Sequence, residues 1–241
     1  MNVAILADIH GNLEALRAVQ ADLRSFTIDR VVCLGDNIGY GPDPDEVLTS
    51  IRQHGYISVL GNHEFALMDK RGRRWLNFQA AENNQETKAL LSLENIQYCQ
   101  SLPVFIVLED GYFVHGFPET SLFLYLAKQD DEKIKKLFQK SAASLFFVGH
   151  THDLQLVTEV DGVVVRQELQ QGRFSLDQGK KYIINCGSVG QPRDGDKSAK
   201  YVLWNSVARE IEVRFVPYDI QQTKDKIQGR GFPKVYAQRL G

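Results

Sequence analysis

The sequence predicts an α/β protein in which two mixed β-sheets pack face to face and helices flank them. Three observations carry this prediction. In the first half, short apolar runs alternate with helix-period segments, the rhythm of βαβ units and a largely parallel sheet. From Leu154 onward the periodicity becomes mostly two, as in antiparallel hairpins. The 241 residues are 43% apolar and 24% charged, with no repeat, low-complexity tract or linker, so one domain over 1–241 with a sizeable core is the better count.

The elements follow in order. Residues 2–7 (NVAILA) read as a buried strand; a helix follows, with Asn12 as N-cap and Leu13, Leu16, Val19 and Leu23 at helical spacing. Residues 30–34 (RVVCL) are a second strand, 45–51 a second helix started by Pro44, and 57–60 (ISVL) a third strand. The segment 64–102 is polar and helix-prone, with one long, weakly periodic stretch at 84–93. It reads as a helical insertion packed over the sheet edge. Pro103 ends it, and strands resume at 104–108 and 112–115 around a turn at Glu109-Asp110-Gly111. A helix over 131–140 places Ile134, Leu137 and Phe138 on one face, and 144–148 is a further buried strand. Segments 154–160, 163–167, 182–185, 201–205 and 210–216 are expected as an antiparallel group.

Composition excludes several classes. Lys and Arg number 28 against 30 Asp and Glu, and a net charge of −2 argues against a dedicated nucleic-acid binder. No apolar run approaches membrane-spanning length. The apolar stretch 3–7 ends at Asp8 without the basic start or cleavage site of a secretory signal. Cys33, Cys99 and Cys186 are odd in number and lack a C-x-x-C pair, which points to a reducing, cytoplasmic compartment.

The informative feature is where polar residues sit relative to the strands. Asp8-Ile9-His10 follows the first strand, Gly35-Asp36 the second, and Gly61-Asn62-His63-Glu64 the third. Val114-His115-Gly116 ends a later strand, and Gly149-His150-Thr151-His152 follows the one after. Carboxyl ends of strands are where open α/β sheets place their sites. Two carboxylates, an amide oxygen and several imidazoles, without a thiolate, exceed what one cation needs and match two divalent ions sharing a bridge. Asp36 is the natural bridge, because a carboxylate offers one oxygen to each ion. The surplus positive charge of two such ions favours an anionic phosphate ester. Each piece alone has an ordinary explanation, D-x-H as a turn and His115 as a core residue. Five of them in chain order do not.

This pattern, D-x-H, G-D, G-N-H-[DE], a solitary His and G-H-x-H, resembles the calcineurin-like metallophosphoesterase superfamily. Residues 34–47 (LGDNIGYGPDPDEV), 91–103 (LSLENIQYCQSLP) and 185–194 (NCGSVGQPRD) are similar to a stand-alone prokaryotic subgroup of phosphodiesterases, phosphatases and dinucleoside-tetraphosphate hydrolases. The resemblance implies a four-layer α/β/β/α fold. It implies one metal held by Asp8, His10, Asp36 and His152, and a second by Asp36, Asn62, His115 and His150. His63 matches the non-ligand histidine that gives a proton to the leaving oxygen or stabilises the transition state. The implied cofactor is two divalent ions, manganese first, with iron, zinc, nickel or cobalt as alternatives. The implied reaction is in-line attack of a bridging hydroxide on an ester or phosphoanhydride of a phosphorylated small molecule or nucleotide. Phe117 and Cys186 depart from the pattern, and Phe117 is expected to narrow the substrate pocket.

Secondary features carry two readings each. Lys70, Arg71, Arg73 and Arg74 form either a phosphate-attracting lip or a solvated helix end. Arg193 reaches a substrate phosphate or makes a structural salt bridge, and Tyr40 stacks on a base or packs in the core. His54 reads as a helix-end surface residue. Leu67 occupies the second His position of an H-e-x-x-H zinc-protease motif, and there is no Walker-type phosphate loop. A rival to the enzyme is an interaction scaffold on the same fold, against which the complete ligand set with His63 argues. A metal-dependent amide hydrolase is disfavoured because its H-x-H generally lies on the first strand of a barrel.

Overall fold

The structure is a computed structural model, and it describes residues 1–76, 78–118 and 121–241. The chain runs β1 (Asn2–Leu6), α1 (Leu13–Leu23), β2 (Arg30–Cys33), α2 (Pro44–Gln53) and β3 (Ile57–Ser58). Four helices follow: α3 (Asn62–Met68), α4 (Lys70–Arg73), α5 (Phe78–Leu90) and α6 (Leu93–Ser101). Next come β4 (Phe105–Leu108), β5 (Gly111–Val114), α7 (Asp131–Lys140), β6 (Leu145–Val148), β7 (Leu154–Val160) and β8 (Val163–Glu168). The chain ends with β9 (Gly172–Ser175), β10 (Tyr182–Cys186), β11 (Ala199–Asn205), β12 (Glu210–Val216), α8 (Ile220–Gly229) and α9 (Lys234–Gln238).

Alternation along β1 sets the layers. Val3 and Ile5 enter a core between the sheets with Phe113, Phe147, Ile184 and Trp204, while Ala4 and Leu6 pack with Leu16 and Val19 of α1. A strand covered on both faces reads as one continuous apolar run, which is what residues 3–6 are. On the far side, Phe146, Val148 and Ile183 meet Ile134, Leu137 and Phe138 of α7. The result is helix, sheet, sheet, helix. Asn12 caps α1 through its side-chain oxygen, 3.1 Å from the Ala15 amide.

The first sheet has the order β3-β2-β1-β11-β12-β9 and the second β4-β5-β6-β10-β7-β8. β1 is parallel to β2 and antiparallel to β11; β10 is parallel to β6 and antiparallel to β7. The later strands are therefore not one antiparallel group. Each sheet takes three strands from β1–β6 and three from β7–β12 and pairs some parallel and some antiparallel, so both are mixed. Period-two patterning says which faces are covered but not which neighbour a strand pairs with. The helical insertion is made of several helices, and the weakly periodic 84–93 stretch spans a boundary between two of them: α5 ends at Leu90, and Ser92 caps α6 while its amide donates to Asp45 over 2.7 Å. Strand β9 and the helices α8 and α9 were not anticipated.

An ion pair ties α1 to the first sheet. Arg214 on β12 donates to both oxygens of Asp22, at 2.9 and 3.2 Å, and the Tyr201 hydroxyl adds a bond of 2.7 Å. Burial pushes the Asp22 carboxyl up, but the Arg214 and Tyr201 bonds outweigh it and hold the pKa below 3.8. A lowered folded-state pKa gives stability that is present above the unfolded value and lost as pH falls through the folded one. We expect Asp22→Asn to lower stability by about 1 kcal/mol at neutral pH, with the difference fading below about pH 4. Urea midpoints of the two proteins at pH 7 and pH 3 check this, and identical midpoints at pH 7 would refute it.

Candidate metal centre

The carboxyl ends of five strands converge where the two sheets meet. Asp8 and His10 follow β1, Asp36 follows β2, and Asn62 and His63 open α3 just after β3. His115 follows β5, and His150 and His152 follow β6. All eight side chains are buried, with exposures between 0% and 7%. Three groups of donors gather here: Asp8, His10 and His152; His10, Asp36 and His63; and Asp36, His115 and His150. Within each group the ligand atoms lie within 4.8 Å of one another.

Backbone carbonyls fix which ring nitrogen faces inward. His10 Nδ1 lies 3.0 Å from the Ile38 carbonyl, His115 Nδ1 2.9 Å from that of Leu34, and His152 Nδ1 2.6 Å from that of Gln191. A carbonyl only accepts, so each Nδ1 carries a proton and each Nε2 points into the site. His10 Nε2 and His152 Nε2 stand 3.1 Å apart. His115 Nε2 is 2.8 Å from Asn62 Oδ1, 3.0 Å from His150 Nδ1 and 3.3 Å from Asp36 Oδ2. Asp8 Oδ1, buried without a hydrogen-bond partner, lies 3.3 Å from His152 Nε2. Facing lone pairs repel unless a cation joins them. Two ligand atoms each about 2.1 Å from one ion sit roughly 3 Å apart at right angles, the separation seen here. The residues present fit divalent metal ions.

The electrostatics agree with a cation receptor. Burial raises the Asp8 carboxyl, but the neighbouring His152 outweighs it and the pKa falls to about 2. Burial lowers His10 and His63, and lowers His150 to about 3, so these rings offer lone pairs at neutral pH. His115 is the exception: burial lowers it, yet Asp36 overrides burial and lifts it to about 9. A metal would displace that proton.

The loops reach this geometry through strained backbone. Asp8, His10, Asp36, Tyr40, His150 and His152 all have φ between 49° and 70°, the left-handed region that non-glycine residues rarely adopt. Strain of this kind collects at functional sites because the surroundings over-determine it. Glu64 does much of that for Asp36. Its carboxylate accepts from the amides of Asn37 (2.7 Å), Asp36 (2.9 Å) and Gly61 (3.1 Å), and burial pushes its pKa up to about 7. The Asp36 carboxylate in turn accepts from the His63 amide at 2.8 Å, and Asn84 on α5 donates to the His63 carbonyl at 2.9 Å. Two glycines are obligatory for space. A Cβ at Gly39 would meet His63 Nδ1 at 2.3 Å, and one at Gly149 would meet Asp8 Oδ2 at 2.5 Å. Sequence reading left Glu64 and Asn84 without a role at the site; the G-N-H-E spacing was the signal for Glu64, and none existed for Asn84.

Above the cluster lies a cavity of about 330 Å³ whose wall includes Tyr40, Trp75, Tyr125, Lys128 and Arg193. Tyr40 is packed, its ring 4.7 Å from those of both His10 and His63 and 5.2 Å from Tyr236, and it still lines the cavity. Arg193 is exposed at the wall, with Gln191 Oε1 at 3.4 Å and no ion pair among the described residues. Arg74 is exposed at the end of α4 and does not line the cavity, and Arg71 turns to Asp69 at 2.6 Å. None of Lys70, Arg71, Arg73 and Arg74 lines the cavity, the arrangement of a solvated helix end rather than of a phosphate-attracting lip. Phe117 does not narrow the pocket either. It packs with Leu126, Ile134 and Phe146 behind the second sheet, and Cys186 lies in the core between the sheets. His54 ends α2 and is exposed.

Comparison with known proteins agrees with this geometry. The calcineurin-like phosphoesterase superfamily domain matches residues 1–207. An uncharacterised protein of Methanocaldococcus jannaschii is 35% identical over 247 residues, covering 99% of this chain and 96% of its own length. A metallophosphoesterase crystal structure from Sphaerobacter thermophilus is similar with a TM-score of 0.85 and 33% identity, covering 100% of this chain and 98% of that one. A hypothetical protein from Pyrococcus horikoshii shares the fold at a TM-score of 0.80 and 19% identity, over 99% and 97% of the two chains. With five strand ends meeting in a buried cluster of histidines and carboxylates, and a family domain spanning most of the sequence, the chain belongs to the calcineurin-like phosphoesterase superfamily of metal-dependent hydrolases.

Proposed function

We propose that this protein is a cytoplasmic phosphoesterase that uses two divalent metal ions to hydrolyse phosphate ester or phosphoanhydride bonds. The observation that supports this reading is the two sets of inward ligand atoms sharing Asp36, whose Oδ2 lies 3.3 Å from His115 Nε2 and 3.9 Å from His10 Nε2. Asp8, His10, Asp36 and His152 would hold one ion, and Asp36, Asn62, His115 and His150 the other. A donor set of oxygen and nitrogen without thiolate suits manganese, and it accepts iron, zinc, nickel or cobalt. When bound, such ions supply Lewis acidity toward phosphoryl oxygens and lower the pKa of water.

The chain's own residues do the rest. His63 Nε2 faces the cavity, 4.0 Å from Asp36 Oδ2, while Nδ1 is buried without a partner against Gly39. A buried orphan N–H is costlier than a buried orphan lone pair, so the ring carries its proton on Nε2. Burial keeps that ring neutral. His63 therefore acts as a hydrogen-bond donor to the departing oxygen as negative charge develops there. Arg193 at the cavity wall holds a non-reacting phosphate oxygen, and Tyr40 stiffens the wall beside His10 and His63. Burial of the cluster excludes bulk water, which strengthens every charge interaction inside it.

Three outcomes test the reading. The protein loaded with Mn²⁺, Ni²⁺, Co²⁺ or Zn²⁺ should hydrolyse bis-(p-nitrophenyl) phosphate; silence with all four ions would make it an interaction scaffold instead. His63→Ala should keep its metal content and lose about 10²- to 10³-fold in kcat. A wild-type rate in that variant would sink the assignment. Asp36→Asn should lose bound metal by elemental analysis, and full occupancy would rule out the shared carboxylate.

A further inference from the structure

Trp75 and Phe123 stack at the cavity wall, with ring centroids 5.3 Å apart and planes inclined by 21°. Trp75 nevertheless remains 67% exposed, whereas the histidines and carboxylates below are nearly inaccessible. Lys128 and Arg193 line the same cavity. Lys128 Nζ lies 5.1 Å from the Tyr125 ring centroid, and Tyr125 stacks on His150 at 4.0 Å, so a single ring links the ammonium to the cluster. An indole backed on one face by another ring and open elsewhere is a surface for a flat aromatic group.

We propose that the Trp75–Phe123 pair is a base-stacking ledge and that the substrate is a nucleoside phosphate. This rests on the phosphoesterase reading above. Depth decides the class. A phosphate seated among the buried donors lies at the cavity floor, and the open indole lies at its rim, so phosphate and ring must be joined by a spacer. A ribose is such a spacer. In an aryl phosphate the ring sits directly on the ester oxygen and stays near the floor. The two cations at the wall also provide for more negative charge than the buried site itself receives, as a nucleotide with further phosphates carries.

The experiment is a titration of the zinc-loaded protein with adenosine 5′-monophosphate, ribose 5-phosphate and O-phosphotyrosine. Of the two tryptophans, Trp204 is only 1% exposed in the core, so a ligand-dependent emission change reports Trp75. Adenosine 5′-monophosphate should change that emission and bind about 5- to 100-fold more tightly than ribose 5-phosphate. By calorimetry, Trp75→Ala should abolish the difference and leave ribose 5-phosphate affinity unchanged, and Trp75→Phe should restore most of it. Equal affinity for the two ligands, an equal loss for both in Trp75→Ala, or a Trp75-dependent preference for O-phosphotyrosine overturns the proposal. The titrations are made in the His63→Ala background, where turnover is expected to be about 10²- to 10³-fold slower, so binding is read apart from hydrolysis and the two readings fail separately. Base discrimination without hydrolysis of any ester counts against the enzyme, and hydrolysis without discrimination counts against the ledge.

Discussion

Three backbone carbonyls, those of Ile38, Leu34 and Gln191, set the character of this molecule by taking the Nδ1 protons of His10, His115 and His152. Each bond is ordinary by itself. Together they turn three Nε2 atoms toward one buried space already holding Asp8 and Asp36. Such an arrangement is poor for an empty protein and good for a cation receptor, because lone pairs and carboxylates gathered out of water need positive charge near them. The strained φ values of Asp8, His10, Asp36, His150 and His152 belong to the same constraint. Left-handed backbone at non-glycine residues costs about 1–3 kcal/mol each, and it persists only where surrounding bonds leave the loop no alternative. Glu64 accepting from the amides of Asp36, Asn37 and Gly61 and Ser188 donating to the Asp8 carbonyl at 2.8 Å are such bonds.

The site also joins the two sheets. The first sheet supplies Asp8, His10 and Asp36, and the second supplies His115, His150 and His152. The His150 amide donates to Asp8 Oδ2 at 2.9 Å, a direct bond from one sheet's loop to the other's, and Gly149 leaves the room for it. The cavity therefore opens where two layers meet, with alternation along β1 and the Phe113–Phe147–Trp204 core holding those layers in register. A metal bound to both loops would resist their separation, and folding and metal binding would then be coupled through the same contacts. With metal ions bound, a net charge of −2 would not hinder an anionic substrate, because the attracting charge would be local and buried rather than spread over the surface.

Much of this was legible in the chain, and particular residues show why. The βαβ rhythm, the helix at Asp131–Lys140, and the strands Leu154–Val160 and Glu210–Val216 came from periodicity, which reports burial of faces. The eight polar residues at strand ends came from chain order, and the structure brings all of them together. Arg74 and Phe117 were misplaced, because charge and size do not encode direction. Asn84 was invisible, since a buried asparagine that holds another residue's carbonyl has no pattern along the chain.

By itself, the sequence determined that Asp, Asn and His side chains leave successive strands at their carboxyl ends, since strand length and the glycines beside them are local properties. It likewise determined that two layers of sheet must be covered by helices. Only the tertiary structure decided that late strands would divide between both sheets, because pairing depends on which edges lie adjacent after collapse. It alone decided which nitrogen of each imidazole faces inward, because that choice rests on carbonyls 28, 81 and 39 residues away. The Trp75–Phe123 stack at the cavity wall is of the same kind, made by two loops that the chain keeps far apart.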